Sequence, residues 1–126
     1  MCGIAGQFVF NASQSGLDLA AVTTTMVNRL SHRGPDDVGV WQDAAQGICL
    51  AHRRLSILDL SPEGHQPMVS ADGRYVIAFN GEVYNHAELR QEIASGQTMP
   101  GWRGHSDTEV MLAAISRWGV VEACQR

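Results

Sequence analysis

The segment Arg74 to Asn80, RYVIAFN, is apolar on both of its faces, with Tyr75, Ile77 and Phe79 alternating with Val76 and Ala78. A strand carries apolar residues on both sides when both sides of its sheet are covered. Asp72-Gly73 before it and Asn80-Gly81 after it supply turn chemistry. The segment therefore predicts a central strand, and a chain with enough other elements to bury it.

Those elements follow from periodicity. Gly3 to Phe10 reads as a buried strand with Ile4, Phe8, Val9 and Phe10 as its core, followed by turn residues from Asn11 to Gly16. Leu17, Ala20, Ala21, Val27 and Leu30 recur at helical spacing; Asp18 suits the first turn, and Gly34-Pro35 stops the helix. Val38–Trp41 and Gly47–His52 read as two strands joined by a turn, and Ser56–Met68 as an irregular stretch. Asn85-x-x-Glu88 and Ser106-x-x-Glu109 are capping boxes opening two helices, the second apolar nearly all round from Val110 to Ile115. A last element begins at Val120. The order predicts an α+β fold with mainly antiparallel sheets rather than a dinucleotide-binding one.

Composition narrows the function classes. With 44% hydrophobic and 17% charged residues the chain has a globular balance. No apolar run is long enough to span a bilayer, and MCGIAG is no secretory signal. The net charge of −4 argues against a nucleic-acid partner. All nine cations are Arg, so lysine Schiff-base chemistry is excluded. Three cysteines, an odd number, point to reduced thiols and a cytoplasmic location.

Several residues could carry chemistry. If Met1 is removed, Cys2 holds a thiol nucleophile and a free α-amine, which at its unperturbed pKa is about a third neutral base near pH 7.5. The plain alternative is a small buried residue at a strand start. Cys49-x-x-His52 suggests a Cys–His pair or a metal site. However, residues three apart on a strand face opposite ways, which favours a core Cys and a structural His. An Asn80 amide and a Gly81 N–H can converge on one oxygen, as an oxyanion hole requires, or simply form a turn. Arg53-Arg54 and Asp107 offer one charge of each sign, enough to grip a zwitterionic amino acid. They could equally be surface charges and a helix-terminus acid. His65, His86 and His105 lie in loops and take no role.

Six segments in order, MCGIAG, HRGPD (His32–Asp36), AHRRLSILDL (Ala51–Leu60), GHQPM (Gly64–Met68), FNGEVYNHAELR (Phe79–Arg90) and HSDTEV (His105–Val110), resemble the class II, N-terminal-nucleophile glutamine amidotransferase domain of the asparagine synthetase family. The resemblance implies part of an αββα sandwich, with residues 1–126 as the N-terminal part of the domain and the synthetase domain absent. It implies Cys2 as nucleophile and Asn80 with Gly81 as the oxyanion hole. Arg54 would bind the substrate α-carboxylate. Asp107 would bind the α-amine, helped by Glu82 and the backbone of Ile57 and Leu58, and Arg33 would be a support.

The implied reaction is hydrolysis of L-glutamine to glutamate and ammonia, with ammonia passed to a synthetase domain where MgATP activates aspartate or another carboxylate. No cofactor or metal is expected in this chain. The family domain continues past this point, so an incomplete sandwich is expected to expose apolar surface. The expected partners are L-glutamine, the synthetase domain and, through that surface, a second copy of the chain. Two alternatives stay open: an inactive fragment that binds glutamine or a partner, and an unrelated hydrolase using Cys49 and His52.

Overall fold

A computed structural model describes residues 1–10, 16–56, 61–96 and 101–126. The described chain divides into two compact units, one built on Met1–Ser56 with His65–Pro67 and Ala78–Asn80, the other on Gly81–Arg126 with Met68–Ile77. Helices are mixed with antiparallel sheets in an α+β fold, as the element order predicts.

The first unit is a three-stranded sheet carrying one helix. Strand β1 (Gly3–Phe8) and strand β2 (Asp37–Asp43) both pair antiparallel with the middle strand β3 (Ile48–Arg54). Directly paired residues share a face, so Ala5, Ala51 and Val40 lie on one side and Ile4, His52 and Gly39 on the other. Helix α1 (Leu19–Asn28) packs on the first side, where Val27 and Leu30 meet Ala5 and Ala51. Gln7 Nε2 donates to Leu19 O and Thr23 Oγ1, fixing the helix start on the same face.

The strand core of β1 differs from expectation. Ala5 is buried, while Ile4, Phe8 and Phe10 are exposed, the two phenylalanine rings tilting against each other at 4.6 Å. The reason is parity: α1 covers the odd-numbered face. Asp18 is the N-cap of α1, accepting from Ala21 N–H, and the helix ends at Asn28 rather than running to the Gly34-Pro35 stop. Most of the Asn11–Gly16 turn expected from sequence lies outside the described residues.

The second unit holds a short antiparallel pair, β4 (Met68–Val69) with β5 (Val76–Ile77), and helices α2 (His86–Ala94), α3 (Asp107–Trp118) and α4 (Val120–Gln125). Leu89 and Ile93 of α2 meet Val110 and Ala114 of α3, each pair one turn apart, with Trp102 and Trp118 packed around them. Arg117 donates to Ile93 O at the end of α2, and Arg90 stacks over the Trp102 ring at 4.2 Å. The side chain of Arg126 bonds the Glu92 carboxylate, and its backbone carbonyl accepts from Asn85 Nδ2.

Three expectations are corrected. The regular strand expected from Arg74 is two residues long, Val76–Ile77, and among the described residues it has one neighbour, β4, instead of the two a central strand would have. It stops because the backbone N–H and C=O of Phe79 are taken by side chains, Gln66 and His52, instead of by another strand. Asn85 stands at the N-cap of α2 but makes no side-chain cap bond. At α3 the box is half formed. Ser106 accepts from Thr108 N–H, whereas the Glu109 carboxylate reaches back to Arg103 N–H and Gly104 N–H.

Candidate functional site

Cys2 stands immediately before β1, whose first residue, Gly3, is paired with Arg53 near the end of β3. That pairing brings Cys2 to the chain leaving β3. The Leu55 N–H donates to Cys2 Sγ at 3.3 Å, and the thiol faces Leu55 O at 3.8 Å. The half-buried sulfur therefore rests against the backbone at Leu55.

The HRGPD turn holds that peptide in place. A Cβ on Gly34 would collide with the Arg53 carbonyl, so only glycine allows the turn to lie against β3. Asp36 N–H donates to Arg54 O at 3.1 Å, and Asp36 Oδ2 accepts Ser56 N–H at 2.7 Å. Arg33 is half-buried with its Cβ beside Gly3. Asp36 was given no role of its own from the sequence, where it stands only as the last residue of HRGPD.

The two adjacent arginines part company. Arg53 is structural: it donates to Val27 O and to Asn28 Oδ1 at the end of α1. Arg54 points to the opposite face and is 9% exposed. Cys49 is fully buried on the α1 side and His52 lies on the other, so they form no catalytic pair. Among the described residues no group of three or more His, Cys, Asp or Glu could hold a metal ion.

Asn80 closes the first unit, exposed just beyond the anchored Phe79. Gly81 and Glu82 open the second unit and are also exposed. Asp107, the first residue of α3, is 7% exposed. Its Oδ2 accepts Val83 N–H at 2.8 Å and its Oδ1 accepts Thr108 N–H at 2.7 Å. Two acceptor positions on each oxygen leave capacity for an ammonium. Ile57 and Leu58 lie outside the described residues. A cavity of about 380 Å³ in the second unit, lined by Ser70, Trp102, Arg103, Leu112 and Arg117 among others, includes none of the predicted site residues.

Cys2, set against the Leu55 peptide, is the candidate nucleophile of a thiol-dependent hydrolase class of site. The chain belongs to the glutamine amidotransferase domain family, which it matches over residues 1–126. It is 41% identical over 119 residues to the Bacillus subtilis "Asparagine synthetase [glutamine-hydrolyzing] 1", covering 94% of this chain and 18% of that protein. It is 36% identical to the Escherichia coli "Asparagine synthetase B [glutamine-hydrolyzing]", covering 94% of this chain and 20% of that protein. It is 35% identical to the Arabidopsis thaliana "Asparagine synthetase [glutamine-hydrolyzing] 1", covering 95% and 19%. The chain thus spans about a fifth of the length of the relatives it matches. No helix among the described residues is long and apolar enough to cross a membrane.

Proposed function

We propose that this chain is the N-terminal part of a glutaminase domain that hydrolyses L-glutamine through a Cys2 thioester. The observation that carries the reading is the Leu55 N–H donated to Cys2 Sγ at 3.3 Å, in a chain of this family. Removal of exposed Met1 frees the Cys2 α-amine, which takes the thiol proton as Sγ attacks the side-chain amide carbon. Asn80 and the Gly81 N–H stabilise the oxyanion. The tetrahedral adduct collapses, the amine returns its proton to the leaving nitrogen, and ammonia departs. Water, deprotonated by the same amine, then adds to the thioester carbonyl, and collapse expels the Cys2 thiolate and releases glutamate.

Binding follows from charge. Arg54 takes the substrate α-carboxylate in a bidentate grip, and Asp107 with Glu82 takes the α-ammonium, assisted by the backbone of Ile57 and Leu58. In a longer protein the ammonia passes to a synthetase domain. There an ATP-dependent step activates aspartate or another carboxylate, and that domain and L-glutamine are the partners proposed.

The test is an intact-mass measurement before and after an electrophilic diazoketone analogue of glutamine. Loss of Met1 and one adduct on Cys2 are expected, with the adduct abolished in Cys2→Ala and retained in Cys49→Ala. Glutamine binding by calorimetry without adduct or turnover would instead make this chain a binding module.

A further inference from the structure

We infer that His52 and Gln66 are positioning residues that clamp the Phe79 peptide and thereby aim Asn80. The inference rests on the reading of Asn80 as the oxyanion donor.

The clamp is two-sided. Phe79 N–H donates to Gln66 Oε1 at 2.7 Å, and Phe79 O lies 3.0 Å from His52 Nε2. A carbonyl oxygen can only accept, so Nε2 carries the ring proton. Nδ1 is then the unprotonated nitrogen, and it is buried without a hydrogen-bond partner among the described residues. Only 1% of His52 is exposed and Gln66 is buried, so both bonds are shielded from competing water. An apolar residue would fill the His52 position without leaving an orphaned nitrogen. Among the described residues the one hydrogen bond the ring makes is to Phe79.

Planarity carries the effect one residue on. Phe79 O and the Asn80 N–H belong to one rigid peptide plane, so holding the oxygen fixes the plane from which Asn80 departs. The N–H side of Phe79 is fixed by Gln66. Only the Asn80 dihedrals remain free between the clamp and the amide that meets the substrate.

The clamp itself is seated on the sheet. His52 of β3 and Gly39 of β2 are register partners on one face. A Cβ on Gly39 would run into the Gln66 carbonyl and the His65 ring, so glycine is what lets the 65–67 segment lie on β2. His65 Nδ1 is 2.7 Å from Asp37 Oδ2, which pins the same segment to the start of β2. Asn80 is thus referenced to β2 and β3, and Cys2 is referenced to β3 through β1. Nucleophile and oxyanion donor share one rigid frame.

The test is glutaminase kinetics on the full chain. His52→Leu and Gln66→Met remove the donor and the acceptor at similar volume; His52→Gln and Gln66→Glu keep them. The expected result is a kcat reduced about tenfold to hundredfold in the first pair, below the full loss of an oxyanion donor. KM should stay within about twofold, and the second pair should recover most of kcat. In an Asn80→Ala background, His52→Leu should cost little more, because the clamp acts through Asn80. If Asn80→Ala lowers kcat and the clamp variants do not, the clamp is overturned and the oxyanion reading stands. Losses that multiply in the Asn80→Ala background also overturn it, assigning His52 to packing alone. An Asn80→Ala variant with wild-type kcat, or a wild-type chain without turnover, overturns the reading and the clamp together. Should His52→Leu fail to fold, Gln66→Met decides by the same comparisons.

Discussion

The Asp107 carboxylate and the Val83 N–H are joined by a 2.8 Å hydrogen bond, so the first turn of α3 holds the chain directly after Glu82. Asp107→Asn keeps an oxygen for Val83 but removes the charge an ammonium would meet. KM for glutamine should rise about tenfold to hundredfold, the worth of a charged hydrogen bond of about 1.5–3 kcal/mol, with little loss of stability. Asp107→Ala should also lose about 1–3 kcal/mol, because buried N–H groups are left unpaired. Saturation kinetics and urea unfolding separate the two effects; an unchanged KM in Asp107→Asn would remove Asp107 from substrate binding.

Asp36 bridges the HRGPD turn to Ser56 N–H, next to the Leu55 peptide that meets Cys2. Asp36→Ala should cost about 0.5–1.5 kcal/mol. It should also slow labelling of Cys2 by the glutamine analogue severalfold. Equal labelling rates in the two proteins would show that the peptide is held without Asp36.

Much of this was legible beforehand, for identifiable reasons. The β2–β3 hairpin, α1 and the start of α3 follow from alternation, helical spacing and the Ser106 cap, all local signals. The opposite facing of Cys49 and His52 follows from strand parity alone. The over-long strand through Phe79 was misread because its side chains alternate as a strand's do, yet its backbone bonds go to Gln66 and His52. No local pattern reports which backbone groups a distant side chain will claim. The same blindness hid the roles of Asp36 and Gln66, whose partners lie 20 and 13 residues away.

Burial pushes the His52 imidazole below its ordinary value of 6.5, against the raising pull of Phe79 O and Asp37; Arg54 and His65 add to the lowering. The unfolded chain therefore takes up this proton first as pH falls. The contribution is full above pH 6.5 and is lost below it, by at most about 1.4 kcal/mol per pH unit. Urea unfolding at pH 7.5 and 5.5 should show a smaller acid loss in His52→Gln than in wild type. Identical losses would mean that His52 titrates alike in both states.

Gly39→Ala puts a methyl group where the Gln66 carbonyl and the His65 ring sit. Overpacking of that kind costs about 1–3 kcal/mol, and here it should also lower kcat by displacing Gln66. Gly73→Ala, with open space at its Cβ but a left-handed φ of 71°, should affect stability alone. Equal kcat in Gly39→Ala and wild type would detach this contact from the site.

The side-chain bonds at Phe79 also decide which part of the molecule its backbone opens with. An amide in a two-strand ribbon exchanges with solvent whenever that ribbon frays. The Phe79 amide is instead moored to a buried glutamine beside the three-stranded sheet, so its exchange should follow the slow amides of β3 rather than those of Val76 and Ile77. Between Ile77 and Phe79 the chain crosses from one compact unit to the other, and the exchange rates are expected to change with it.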